Sequence, residues 1–155
     1  MFSIDFIKKQ REKFVLFVDE LSLDELNKVP EGFNDNIIWN LGHIMVSSYV
    51  LMYLRTEANP VFQVPYLEKY GIGSRPEKDN PATAEDVANV KSLVVDSINE
   101  IEQDLHQGVF DNMTPFPTKT YGIDMKTPED ILAWIFAHDA MHFATAKAYQ
   151  RMIRK

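Results

Sequence analysis

The 155 residues carry 16 Lys and Arg against 23 Asp and Glu, a formal net charge of −7, with 45% hydrophobic residues, 25% charged residues and no cysteine. That length and apolar content suit one folded domain with its own core and exclude a disordered chain. Without cysteine there is no disulfide framework, no Cys-ligated metal and no cysteine nucleophile. The acidic balance counts against a nucleic-acid surface, because binding a polyanion depends on basic groups that release its counterions.

The first helical segment spans roughly Asp5 to Glu20. Ile4, Ile7, Phe14, Val15 and Val18 share one face, and Lys8, Lys9, Arg11, Glu12 and Lys13 supply polar coverage. No apolar leader core follows this charged start, and a cytoplasmic location is the expectation. Ser22 and Glu25 form a capping box for a short turn through Leu26, which Pro30-Glu31-Gly32 interrupts.

The second segment begins at Asn34 or Asp35, either of which can cap it, and runs to about Arg55. Ile37, Ile38, Trp39, Leu41, Ile44, Met45, Val46, Val50, Leu51 and Met52 make it apolar on nearly every side, the pattern of a central helix. Asn40, His43 and two serines mark it as too polar and too short for a membrane span. From Glu57 to Ala82, four prolines and two glycines prevent one long element, although Pro65 to Tyr70 can form a helical turn.

The third helix starts on a Thr83/Asp86 capping signal, carries the stripe Val87, Val90, Val94, Ile98, Ile101 and Leu105, and terminates at Gly108. An irregular stretch from Val109 to Lys126 follows. Thr127-Pro128-Glu129-Asp130 is then a strong start for a final helix reaching about Arg154. The expectation is an all-α protein: one four-helix bundle domain over residues 1–155, with a long connection between its second and third helices.

His138 and His142 stand one helical turn apart and point the same way. The pair lacks the glutamate of a zincin helix, so that assignment is excluded. Ile131, Ile135, His138, His142, Thr145, Tyr149 and Met152 form one stripe aimed at the core, and His43 lies midway along the apolar second helix. Bundles build metal sites from such inward-facing side chains, and three histidines leave a coordination position open. The competing reading is three unrelated core histidines, each hydrogen-bonded to a neighbour. His106, near the end of the third helix, reads as a surface or C-terminal charge group.

Trp39-Asn40-Leu41-Gly42-His43-Ile44 and His138-Asp139-Ala140-Met141-His142, in this order and at this distance, resemble the signatures of the DinB-like superfamily. The resemblance runs over essentially the whole chain. It implies a four-helix bundle holding one divalent metal, zinc or nickel, on His43, His138 and His142, with homodimer pairing through bundle helices. It also implies enzymes that transfer low-molecular-weight thiols to small electrophiles, or hydrolyse small amides. A non-enzymatic structural or interaction protein is the remaining alternative.

The small-molecule pocket is expected around Trp39 and Trp134, each one turn before a histidine, with Tyr66, Tyr70, Phe116 and Tyr121 walling a cleft from the loops. Asp139 and Tyr149 are candidates for proton transfer. Asp139 reads more readily as a surface or interhelical salt bridge, Tyr149 equally as a core tyrosine, and Asp35 and Asp130 as caps. Neither a nucleic acid nor a membrane is expected as partner.

Overall fold

The computed structural model describes residues 4–155. The chain is mostly helical, in the order α1 (Ile4–Asp19), α2 (Leu23–Asn27), α3 (Ile37–Tyr49), α4 (Leu67–Tyr70), α5 (Ala84–His106) and α6 (Pro128–Ile153). Helix α3 continues into one wide π-helical stretch, Val50–Arg55. A two-residue antiparallel ribbon pairs β1 (Phe116–Pro117) with β2 (Asp124–Met125). Helix α3 packs against α5 and α6, and α1 packs across both from the other side.

The ends of the elements follow from local chemistry. Ser22/Glu25, Thr83/Asp86 and Thr127/Asp130 each form a reciprocal capping box that satisfies free first-turn amides. Pro128 occupies the first turn of α6, where its missing N–H costs nothing. Gly108, at φ 73°, follows the end of α5 in the left-handed conformation that glycine tolerates best. The cap of α3 is Asn36, one residue beyond the Asn34/Asp35 expectation. Its side chain accepts from the Trp39 N–H and donates to the Asn27 carbonyl.

Helix α3 is buried almost throughout, as its composition demands. By length and composition alone Ile37–Arg55 could cross a membrane, with 19 residues at a mean hydropathy of 1.4. A buried core helix passes the same test. Within the fold 83% of its window is buried, so its apolar surface faces protein.

The main departure from the sequence reading is Arg11. It is fully buried, not part of the polar coverage of α1. Ile7, Arg11, Phe14 and Val18 are one continuous stripe, and Arg11 fills its gap. Its Nε donates to Asp139 Oδ2 on α6 at 2.7 Å. Nη1 donates to the Val94 carbonyl and Ser97 Oγ on α5, and Nη2 to the Ile44 carbonyl and Ser48 Oγ on α3. A buried charge demands such partners, and here they come from the three other long helices, α3, α5 and α6.

Candidate metal centre

On α3, Asn36, Asn40, His43 and Ser47 follow one another at spacings of four, three and four residues. They form a polar line along an otherwise apolar helix. On α6, His138 and His142 are one turn apart, and the packing of α3 on α6 brings the two sets face to face. The ring centroids lie 5.3 Å (His43–His138), 4.9 Å (His43–His142) and 4.4 Å (His138–His142) apart. One ring nitrogen from each of the three lies within 4.8 Å of the others.

Hydrogen bonding fixes which nitrogens face inward. Nδ1 of His43 lies 2.8 Å from the Tyr70 carbonyl, which can only accept, so Nδ1 carries the proton and Nε2 is bare. The Asn40 amide NH2 donates to Asp35 Oδ1 and to the Asn36 carbonyl, so Asn40 turns its oxygen toward His142. Nδ1 of His142 donates to that oxygen at 2.7 Å, leaving a second bare Nε2. This Nε2 stands 3.1 Å from Nε2 of His138, whose own Nδ1 is buried without a partner.

Burial holds the cluster neutral. His138 is pushed down to about 2, by burial first and then by the neighbouring imidazoles and Arg11. Burial, then His43, takes His142 down to about 4, and burial likewise lowers His43. Two tryptophans enforce this dryness. Trp39 stacks on His43 at 4.4 Å and Trp134 on His138 at 4.2 Å, each from one turn earlier in the same helix. Trp39 is itself pinned by donation from Nε1 to Ser74 Oγ. His142 is the half-exposed member, so the cluster meets solvent on its side.

The other predicted positions divide. Tyr70 is buried, its carbonyl holds His43, and its ring packs so closely on Gly42 that a Cβ there would stand 2.5 Å from it. Trp39 and Tyr70, with Lys69, Ser74 and Arg75, line a cavity of about 550 Å³. Tyr121 and Trp134, with Ile123 and Met125, line a second of about 270 Å³. Neither cavity is lined by a histidine; each shares a tryptophan wall with the cluster.

Tyr66 and Phe116 line neither cavity. The Tyr66 hydroxyl accepts from Asn89, and Phe116 is buried under the Arg55 guanidinium. Asp139 is fully buried and engaged by Arg11, with burial pushing its carboxyl up to about 6 and Arg11 opposing. Tyr149 stacks edge-on with Phe33 beside Asp35, and burial raises its hydroxyl. His106 is exposed in the last turn of α5.

Sequence reasoning missed the supporting residues. Asn40 and Ser47 were visible only as polar interruptions of α3, although their three- and four-residue offsets from His43 place them on its face. The Tyr70 carbonyl gave no signal, since any residue offers one.

The three imidazoles could hold one metal ion. Nitrogens about 2.0–2.1 Å from one ion can stand no more than about 4.2 Å apart; the two Nε2 atoms of α6 meet that limit at 3.1 Å, while the full set is placed within 4.8 Å and would have to close slightly on an ion. Neutral imidazoles with their far nitrogens held by a carbonyl or amide oxygen are the usual ligand form. No curated protein and no solved structure matches the chain. The family model of the DinB superfamily matches residues 7–146, which takes in the three histidines and all but the outer turns of the long helices. This chain belongs to the DinB superfamily.

Proposed function

We propose that this chain is a cytoplasmic, single-domain four-helix bundle enzyme. It holds one divalent transition metal, zinc or nickel, on His43, His138 and His142 and transfers a low-molecular-weight thiol to a small electrophile. The observation that carries the reading is the pair of fixed tautomers, which leaves Nε2 of His43 and of His142 without a proton in a cluster whose ring nitrogens lie within 4.8 Å of one another. Such an ion supplies Lewis acidity that lowers the pKa of a thiol sharing its site.

The chain's own residues supply the rest. Tyr70 and Asn40 orient two of the ligand rings, Trp39 and Trp134 exclude water from two of their faces, and the half-exposed His142 edge leaves a way in. With no cysteine in the chain, the sulfur must come from a cosubstrate. In the transfer, sulfur forms a bond to the electrophilic carbon, the leaving group departs with its electron pair, and the thiol proton goes to solvent.

Transfer is favoured over hydrolysis by what surrounds the cluster. Hydrolysis calls for a carboxylate or a further histidine to manage protons. The nearest acids on the chain are committed elsewhere, Asp139 to Arg11 and Asp35 to Asn40. The test is to incubate zinc- or nickel-loaded protein with 2-mercaptoethanol or free cysteine and 1-chloro-2,4-dinitrobenzene. The expected result is conjugate above the metal-only control, lost in His142→Ala. Conjugate no faster than that control contradicts the reading, and release of hydrolysed product from a small amide panel would favour hydrolysis.

A further inference from the structure

Ser47 is the one member of the polar line on α3 whose role the ligand set leaves open. Hydroxyls inside helices ordinarily turn back to the carbonyl four residues earlier. Ser48 does so to Ile44, Thr56 to Met52 and Thr145 to Met141. The hydroxyl of Ser47 instead points along the helix to the ring of His43, 3.3 Å from Nε2. Because Nδ1 of that ring is the donor to Tyr70, the Ser47 O–H is the donor in this contact.

That contact cannot persist once the lone pair of His43 Nε2 is given to a metal. The Ser47 hydroxyl is then left one turn from His43, half-buried and on the face toward the cluster, free to turn back to the His43 carbonyl as its neighbours do or to donate to a group held beside the imidazoles. The other polar side chains of the line have fixed duties: Asn36 caps the helix and Asn40 holds His142. We propose that Ser47 is a substrate-binding residue: its hydroxyl donates to the anionic sulfur of the thiol cosubstrate held beside the three imidazoles. The proposal rests on the thiol-transfer reading above. It adds the group that favours the ionised sulfur over the neutral thiol, since a neutral donor stabilises an anion without adding charge to the ligand set.

Cobalt(II) and 2-mercaptoethanol test it without an activity assay. The protein is loaded with Co2+, and the thiol is titrated against the sulfur-to-cobalt absorption band for wild type, Ser47→Ala and Ser47→Thr. The expected result is Co2+ affinity within about threefold across the three, with half-saturation by thiol about tenfold higher in Ser47→Ala, the loss expected of one hydrogen bond to a charged group. Ser47→Thr should stay within about threefold of wild type, since it keeps the hydroxyl. A Ser47→Ala titration that overlays wild type overturns the proposal. So does a loss of Co2+ affinity as large as the loss for thiol, which would make Ser47 a support of the ligand set instead. Wild-type protein that binds Co2+ but shows no sulfur band contradicts the thiol reading itself, and wild type that binds no Co2+ removes the metal reading; either also overturns the role of Ser47.

Discussion

Asn40 decides the chemistry of His142 by a chain of forced choices. Its NH2 has two partners that can only accept, Asp35 Oδ1 and the Asn36 carbonyl, so its oxygen must face the imidazole and take the Nδ1 proton. Outer partners of this kind commonly change metal affinity by about 10–100-fold. Asn40→Ala should therefore weaken zinc binding by that factor in a chelator competition, with the helical circular dichroism unchanged. Asn40→Asp would keep an acceptor for His142 but set its second oxygen against Asp35 Oδ1 and the Asn36 carbonyl, so it is expected to lose stability as well. Equal affinities for Asn40→Ala and wild type would mean that the tautomer of His142 does not depend on this contact. Asn40 was legible in the sequence as a polar residue on the His43 face, but its partner lies 102 residues later. Periodicity gives a side chain's face, not what lies opposite.

Element by element, the helix boundaries rest on caps that the sequence displays openly. Ser22/Glu25, Thr83/Asp86 and Thr127/Asp130 were all readable, because a capping box is a local pattern needing no tertiary partner. The start of α3 was less so. Asn34, Asp35 and Asn36 are all competent caps, and the choice falls to Asn36 because it also reaches the Asn27 carbonyl.

The caps carry a pH dependence. The Asp130 carboxyl is held below its usual 3.8 by the backbone N–H of Lys126 and then of Thr127, and Asp86 by the Thr83 N–H and then Lys69. A carboxyl whose folded pKa is depressed contributes stability that is complete above its unfolded pKa and is lost as the pH falls through the folded one. Asp130→Asn should thus lower the urea midpoint at about pH 6, and the gap to wild type should narrow by about pH 3. A gap independent of pH would show that the ionised carboxylate is not what holds the first turn of α6.

Across the whole molecule, Arg11 and Asp139 join the core to the histidine cluster. Arg11 touches α3, α5 and α6 at once, and Asp139 is the immediate neighbour of His138. Removing one partner strands the other as a buried charge, at a cost of about 3–5 kcal/mol, whereas an apolar replacement of both can be nearly neutral. In urea denaturation, Arg11→Met and Asp139→Leu should each be strongly destabilising, and the double variant should lose less than their sum by more than about 1 kcal/mol. Additive losses would contradict a direct pair.

This feature was half legible. The stripe Ile7, Phe14, Val18 has a vacancy at position 11, yet composition favours reading an arginine as surface. The long apolar α3 and the His138/His142 pair gave the helical class and the candidate ligands, because both are periodic signals. The loop aromatics were the hardest to place. Tyr70 turned inward beside His43 and Phe116 went under Arg55, and no period relates such residues to the helices they cover.

The central claim is that His43, His138 and His142 form one metal site, and elemental analysis of protein purified without an affinity tag and dialysed against zinc tests it most directly. About one ion per chain is expected for wild type, and less than about a tenth of that for His138→Ala or His142→Ala, since two imidazoles do not make a closed ligand set. An intact protein that retains no metal, or histidine variants that retain as much as wild type, would contradict the account.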